Sequence, residues 1–121
     1  MPRTHSYMDP NRLRLIEKLK KVGREQNAKI WKKVAEELSR GRRRRREVNL
    51  WKIDKYTKPN DIVVVPGKVL AYGNLSHSVT IAAFKFSEKA KEKILASNSK
   101  PITIEELLAK NPRGSNVKIL C

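Results

Sequence analysis

The sequence predicts an α+β fold in which an N-terminal helical hairpin and a basic segment precede an irregular β-β-α unit. Apolar side chains recur at helical spacing in the first third of the chain, whereas the second half alternates β-branched runs with capped helices. A length of 121 residues suits one compact domain. We divide it into a basic arm (1–8), the hairpin with an arginine-rich segment (9–47) and an α/β core (48–121).

The first predicted helix begins at Asp9-Pro10. Asp9 can cap it, and proline suits the first helical position because no N–H is needed there. One face then carries apolar side chains at the spacing of a helix, namely Leu15, Ile16, Leu19 and Val22. Gly23 is expected to end the helix.

A second helix is predicted over roughly 27–39. Its apolar face consists of Ile30, Trp31, Val34, Ala35 and Leu38. The opposite face carries Lys29, Lys32, Lys33 and Glu36. Because few residues separate the two helices, we expect an antiparallel hairpin with the lysines facing outward.

The segment 47–56 fits either a strand or a short helix capped by Asn49. We favour the helix, and we expect Trp51 to lie in the core. Residues 57–61 form a turn cluster. The wholly apolar run 62–65 predicts a buried strand, which Pro66-Gly67 ends, and 69–72 is expected to be the next strand.

The stretch 79–86 predicts a strand that is apolar on both faces and therefore covered on both sides. Ser87 is expected to cap a helix that buries Ala90 and Ile94. Lys100-Pro101 is read as a break in the chain. The segment 103–106 has the pattern of a capping box and is expected to begin a short helix. A loop is expected at 111–114 and a last strand at 117–120.

The charge is concentrated in the first half of the chain. The formal net charge is +16, of which residues 1–60 contribute +12 and residues 61–121 contribute +4. Within 40–46, six of the seven residues are arginine, and Gly41 is the only interruption. Like charges this close repel one another, so we expect this run to be extended until a polyanion binds it. The alternative reading is a solvated charge run or a localisation signal.

Residues for catalysis or metal binding are sparse. The single cysteine, Cys121, excludes an intrachain disulfide and indicates a reducing compartment. One cysteine and two histidines are too few for a typical zinc site, and no phosphate-binding glycine loop is present. His77 lies between two serines, but no acid is indicated that would orient it as a catalytic base. We therefore expect no enzyme activity, cofactor or small-molecule substrate. No apolar run approaches the length of a membrane span, and the N-terminus lacks the apolar core of a secretory signal.

These features favour a protein that binds folded RNA by its shape and its phosphates. The short list of aromatic residues (two Trp, three Tyr, two Phe) argues against a protein that binds single strands by stacking. Basic residues in the arm, the hairpin, the arginine run and the core are the predicted RNA contacts: Arg3, His5, Arg14, Lys18, Lys21, Lys29, Lys33, Arg40, Arg42, Arg43, Arg44, Arg45, Arg46, Lys68 and Arg113.

A family resemblance covers nearly the whole chain. The cassette consists of 65–70 (VPGKVL), Gly73, 79–87 (VTIAAFKFS), Ala90 and Ile94. It resembles the core segment of the archaeal large-subunit ribosomal protein family L-eighteen-e, which is related to the bacterial L-fifteen family. The segments 48–53 and 111–114 are also similar. One departure lies at 96–99 (ASNS), where relatives often have Ala-Gly-Gly.

The resemblance implies a cytoplasmic ribosomal protein that binds large-subunit rRNA beside neighbouring large-subunit proteins. It implies no catalysis, and we expect no membrane association and no homo-oligomer. The second hypothesis is a non-ribosomal binder of RNA or DNA, such as an RNA chaperone or a chromatin protein. The third is an RNA-processing enzyme, which would need a clustered acid–base or metal site.

Overall fold

The computed structural model describes residues 10–39 and 46–120, and of Arg46 it describes the backbone alone. Two helices, α1 (Pro10–Glu25) and α2 (Lys29–Leu38), pack against each other as the predicted hairpin. Short strands and helices follow in the order β1 (Arg46–Asn49), α3 (Leu50–Tyr56), β2 (Ile62–Leu70), β3 (Thr80–Phe86), α4 (Glu88–Ala96), β4 (Lys100–Thr103), α5 (Ile104–Lys110) and β5 (Val117–Ile119). The predicted α+β class is confirmed.

The hairpin buries the apolar faces that the spacing predicted. The side chains that enter its core are Leu15, Ile16, Leu19, Trp31, Val34, Ala35 and Leu38. The predicted end of α1 at Gly23 is wrong by two residues, since the helix continues to Glu25 and the chain turns at Asn27, whose φ is 53°. Asparagine tolerates this left-handed conformation and so replaces the expected glycine. The predicted cap Asp9 lies outside the described residues.

All strand pairs of the sheet are parallel. The order is β1-β2-β3-β4, and β5 pairs with the first half of β2. Val64 and Ala82 face α1, α2 and α5, whereas Val63, Val65 and Ile81 face α3 and α4. The sheet is therefore covered on both sides, as the two apolar faces of 79–86 predicted.

Pro66-Gly67 does not separate two strands, and this prediction is wrong. β2 runs without interruption from Ile62 to Leu70. One extra residue lies on β2 between the partner pairs Val65–Ala83 and Lys68–Lys85, which marks a bulge. Because the bulge accommodates a proline that has no N–H to donate, the strand continues past it.

The interpretation of Lys100-Pro101 as a break is also wrong, because both residues belong to β4. This strand lies at the edge of the sheet, and within 10–39 and 46–120 its partner is β3 alone. Proline is tolerated in edge strands, where one row of backbone groups has no strand partner.

The ambiguous segment 47–56 contains both of the predicted elements. Arg46–Asn49 is a strand and Leu50–Tyr56 is a helix, with Asn49 at the N-cap position but without a side-chain cap hydrogen bond. Trp51 is not in the core, contrary to prediction, because its side chain is 46% exposed. The short α3 directs Leu50 and Ile53 to the sheet, and Trp51 lies about 100° around the helix from Leu50.

The predicted caps in the second half are present. Ser87 Oγ accepts a hydrogen bond from the backbone N–H of Ala90 at 3.1 Å. Thr103 and Glu106 form the reciprocal capping box, with both hydrogen bonds at 3.0 Å. At 96–99, Asn98 adopts a φ of 60°, a left-handed conformation that asparagine tolerates.

Candidate nucleic-acid interface

The predicted RNA contacts fall into two groups. Arg3, His5, Arg40, Arg42, Arg43, Arg44, Arg45 and the side chain of Arg46 lie outside the described residues. The remaining predicted contacts all have exposed side chains: Arg14, Lys18, Lys21, Lys29, Lys33, Lys68 and Arg113. For these seven, exposure agrees with a role in contacting RNA, and the role itself stays a prediction.

A shallow groove of about 380 Å³ runs between α1 and α2 on the outer side of the hairpin. Lys20, Arg24, Lys32 and Glu36 line it, which brings three positive charges and one negative charge together. Lys20, Arg24 and Lys32 were not among the predicted contacts. Lys32 was predicted to lie on the outward face of the second helix, but that it meets Lys20 and Arg24 depends on how the two helices pack, which the spacing within one helix does not show. Lys20 and Arg24 are four residues apart and therefore neighbours on one helix, and this spacing could have indicated both as a basic pair beside Leu19.

Some of the predicted hairpin cations also contact side chains of the protein. Lys33 Nζ lies 3.7 Å from the carboxylate of the buried Glu37, and Lys18 Nζ lies 4.0 Å from Glu105. The Lys18–Glu105 pair is exposed on both sides, and exposed ion pairs contribute little to stability. Lys18 is therefore able to exchange its carboxylate partner for a phosphate at small cost.

A second basic surface lies at the carboxyl ends of the parallel strands. Lys68 of β2, Lys85 of β3 and Lys91 of α4 line a cleft of about 480 Å³. Lys68 and Lys85 are register partners on adjacent strands, and neighbouring strands of a sheet lie about 4.8 Å apart. Like charges at directly opposed positions destabilise a sheet, and an anion in the cleft would relieve this repulsion. We name this surface the sheet-edge cleft.

Acidic residues lie beside the sheet-edge cleft but do not reverse its charge. Glu47 is the register partner of Lys68 on the other side, and Glu106 lines the cleft. The Glu106 carboxylate accepts a hydrogen bond from the backbone N–H of Thr103, and this bond lowers its pKa below the ordinary value. Glu106 is thus ionised, and with Glu47 it contributes two negative charges against the three positive charges of the three cleft lysines.

Phe84 connects the sheet-edge cleft to the hairpin. The guanidinium of Arg12 in α1 lies 5.4 Å from the centre of the Phe84 ring, and Lys85 Nζ lies 5.7 Å from it. Arg12 is only 1% exposed. Cations at these distances are attracted to the ring face, so Phe84 contacts both the buried Arg12 of the hairpin and Lys85 of the cleft.

Arg113 lies on a loop that is fixed against α2. Trp31 Nε1 donates a hydrogen bond to the carbonyl oxygen of Pro112 at 2.7 Å. Gly114 has a φ of 69°, and a Cβ added there would lie 2.5 Å from the Ile30 side chain. The loop therefore holds Arg113 beside the hairpin.

His77 is held by hydrogen bonds. Thr57 Oγ1 donates to the carbonyl of Ile53 at 2.7 Å, so it accepts from His77 Nε2, also at 2.7 Å. His77 Nδ1 lies 3.3 Å from Asp54 Oδ1. The sequence indicated no acid that would orient His77, and the fold places Asp54 beside it. The hydrogen on His77 Nε2 is thus donated to the buried hydroxyl of Thr57. Through Thr57 and Asp54, His77 connects α3 and the residue after it to the loop before β3.

Stability should decrease in acid because of Asp54. Hydrogen bonds from the backbone N–H and hydroxyl of Ser76, both 2.8 Å, and the nearby His77 lower the pKa of Asp54 below its ordinary value. Because the pKa of Asp54 is lower in the folded protein than in the unfolded chain, its ionised form stabilises the fold at pH values above the unfolded pKa of about 4. This contribution is lost as the pH falls below that value and Asp54 becomes protonated. Asp54→Asn should flatten the decline in urea midpoint between about pH 5 and pH 2. The pKa values of Asp61 and Glu106 are also lowered, so part of the decline should remain. An unchanged pH profile would contradict this role of Asp54.

No group of three or more His, Cys, Asp or Glu side chains is placed to hold a metal ion among residues 10–39 and 46–120. Across the same ranges, no helix has the length and apolar character needed to cross a membrane.

Comparison with known proteins identifies the family. The sequence model of the family described as "Ribosomal protein 60S L18 and 50S L18e" matches residues 2–121. The chain is 47% identical over 112 residues to a protein of Archaeoglobus fulgidus named "Large ribosomal subunit protein eL18", covering 93% of this chain and 96% of the relative. A Methanococcus maripaludis protein of the same name is also 47% identical, covering 93% of each chain. A third, from Methanoregula boonei, is 46% identical over 99% of both chains. The chain therefore belongs to the family of ribosomal proteins 60S L18 and 50S L18e.

Proposed function

We propose that this protein is a structural constituent of the cytoplasmic large ribosomal subunit, where it binds and stabilises folded large-subunit rRNA through its basic residues. The relatives are named as large-subunit proteins, and the family match extends over almost the whole chain. Two basic surfaces carry the proposal: the groove between α1 and α2, and the sheet-edge cleft. They belong to a chain of net charge +16. Two such surfaces suit an RNA that folds around the protein.

The mechanism is electrostatic. Each phosphate that a lysine or arginine neutralises releases counterions, which favours association and makes it steeply dependent on salt. We expect the arginine run at 40–46 to become ordered on the RNA, while the folded core determines where that run enters. Neighbouring large-subunit proteins would complete the surroundings of the chain.

Sedimentation tests the assignment to the ribosome. A tagged copy of the chain, expressed in an archaeal host, should sediment with large subunits and remain with them through a wash at moderate salt. A free nucleic-acid binder would instead spread across the gradient. Recovery of the tagged chain mainly outside large subunits would reject the ribosomal role.

The sheet-edge cleft can be tested separately in the purified protein. Changing Lys68, Lys85 and Lys91 together to glutamine should weaken binding to deproteinised large-subunit rRNA. It should also reduce the slope of log affinity against log salt by about 2 to 3, since each phosphate contact contributes about 0.9. Filter binding at several salt concentrations measures both quantities.

The matched control changes Lys58, Lys100 and Lys118 to glutamine. These three exposed lysines lie near the amino ends of the strands, at the opposite edge of the sheet, and their loss changes the net charge equally. The control should retain nearly the wild-type slope. Equal losses in the two variants would show that net charge, and not the cleft, determines binding.

A further inference from the structure

Several aromatic side chains lie on the surface of the described part of the chain. Within the described residues, Tyr72 is 75% exposed, Tyr56 is 51% exposed and Trp51 is 46% exposed. Single exposed rings are common, but neighbouring exposed rings mark a binding surface, since covering them contributes much of the energy of an interface. Trp51 and Tyr72 are the two that the fold brings together.

Backbone contacts place Trp51 and Tyr72 side by side. The backbone N–H of Trp51 donates to the carbonyl of Tyr72 at 3.1 Å. A Cβ added at Gly73 would lie 2.6 Å from both the backbone nitrogen and the Cβ of Trp51. The first turn of α3 thus rests directly on the chain at 72–73, and we name these two exposed residues the aromatic platform.

A lysine holds the platform in place. Lys93 of α4 donates from Nζ to the carbonyl oxygens of Ala71 and Gly73, each at 2.9 Å. Its side chain is half-buried, and its charge is used within the protein. Gly73 has a φ of 97°, which few residues other than glycine adopt. The backbone on both sides of Tyr72 is therefore fixed while its ring projects into solvent.

Rigid presentation of an exposed ring reduces the ordering cost of binding. An aromatic face at a fixed position is suited to stacking on a flat, unsaturated ring, and every nucleobase offers such a face. The loop 71–73 is therefore built like a site that receives a base.

The charge of the surroundings favours RNA over a second protein. Lys55 follows Trp51 by one helical turn, and its Nζ lies 5.5 Å from the ring of Tyr56. Asp54, the carboxylate nearest to them in sequence, is turned to Ser76 and His77. A basic neighbouring protein would be repelled here, whereas a ribose phosphate next to a stacked base would be attracted.

We propose that Trp51 and Tyr72 stack on an unpaired base of large-subunit rRNA, with Lys55 placed to meet an adjacent phosphate. This proposal rests on the proposed RNA-binding function and adds a specific contact to it. It also differs from the expectation, based on the number of aromatic residues, that stacking plays no part in binding.

The experiment measures binding of Tyr72→Leu, Trp51→Leu and Tyr72→Phe proteins to deproteinised large-subunit rRNA over a range of salt concentrations. Each leucine variant should bind about 5- to 100-fold more weakly, as expected for the loss of one stacked base. The salt slope should stay at the wild-type value, because stacking releases no counterions. Tyr72→Phe keeps the ring face and should bind as the wild type does.

Tryptophan fluorescence gives an independent measurement. The chain has two tryptophans, and Trp31 is fully buried, so quenching by a stacked base should come from Trp51 alone. RNA should quench the wild-type emission, and the RNA-dependent quenching should disappear in Trp51→Phe.

The outcomes separate the platform from the wider function. The stacking proposal would be overturned if both leucine variants bound with wild-type affinity and RNA did not quench the fluorescence. RNA binding would then still depend steeply on salt, so the proposed function would stand. Normal RNA binding by variants that no longer stay with large subunits would also overturn it, since the partner would then be a protein. Failure of the wild-type protein to bind the rRNA would instead overturn the proposed function.

Discussion

Serine in place of Arg42, Arg43, Arg44, Arg45 and Arg46 should produce the largest loss of rRNA affinity of any change in this chain. Counterion release at 0.1 M salt is worth nearly tenfold in affinity for each phosphate contact. The loss should therefore lie between about a hundredfold and 10⁴-fold, according to how many of the five arginines contact phosphates. The salt slope should fall by as much as about 4.5 in the same titration.

A lysine version of the same five positions is the matched control. Lysine keeps each charge but loses the planar fork that binds two phosphate oxygens at once. The lysine variant should retain most of the salt slope and lose only part of the affinity. If the serine variant kept the wild-type slope, the arginine run would not be the main contact with RNA.

Trp31→Ala should produce the largest loss of stability, about 3–5 kcal/mol in the free energy of unfolding. Trp31 is fully buried at the centre of the hairpin core, and its Nε1 hydrogen-bonds to the Pro112 carbonyl. The substitution leaves a cavity, deprives that carbonyl of its donor and loosens the loop that carries Arg113. Because small domains have only about 5–15 kcal/mol of stability, a large part of the protein's margin would be lost.

Urea denaturation followed by circular dichroism measures this effect, and Trp51→Ala is its control. Trp51 is the same residue type on the surface, so its replacement should change the free energy of unfolding by only about 0.5 kcal/mol. A similar loss in both variants would mean that the hairpin core does not depend on Trp31 in the way its burial indicates.

The parts of the fold that depend on local chemistry could be predicted from the sequence. The spacing of apolar residues located both helices of the hairpin, and hydroxyl side chains located the starts of α4 and α5. These signals act within one or two helical turns, so no knowledge of the tertiary structure was needed.

The errors occurred where tertiary context overrides a local signal. Proline at 66 and 101 usually interrupts strands, but here a bulge accommodates one and the sheet edge accommodates the other. Trp51 resembled a core residue because the sequence does not show how much of a seven-residue helix contacts the sheet.

The candidate site was predictable only in part. Net charge and the arginine run indicate a polyanion partner, and the exposed lysines of the hairpin follow from the apolar face. The sheet-edge cleft depends on the register that pairs Lys68 with Lys85, and the aromatic platform depends on the contact of Trp51 with the chain at 72–73. Pairings between distant parts of the chain cannot be read from composition or spacing.

A cryo-electron microscopy map of the archaeal large subunit containing this chain tests the central claim most directly. The account predicts that the side chains of residues 42–46 lie within about 3 Å of phosphate oxygens of the rRNA, as in charge-assisted hydrogen bonds. It is contradicted if those arginines point into bulk solvent, or if purified large subunits lack the chain.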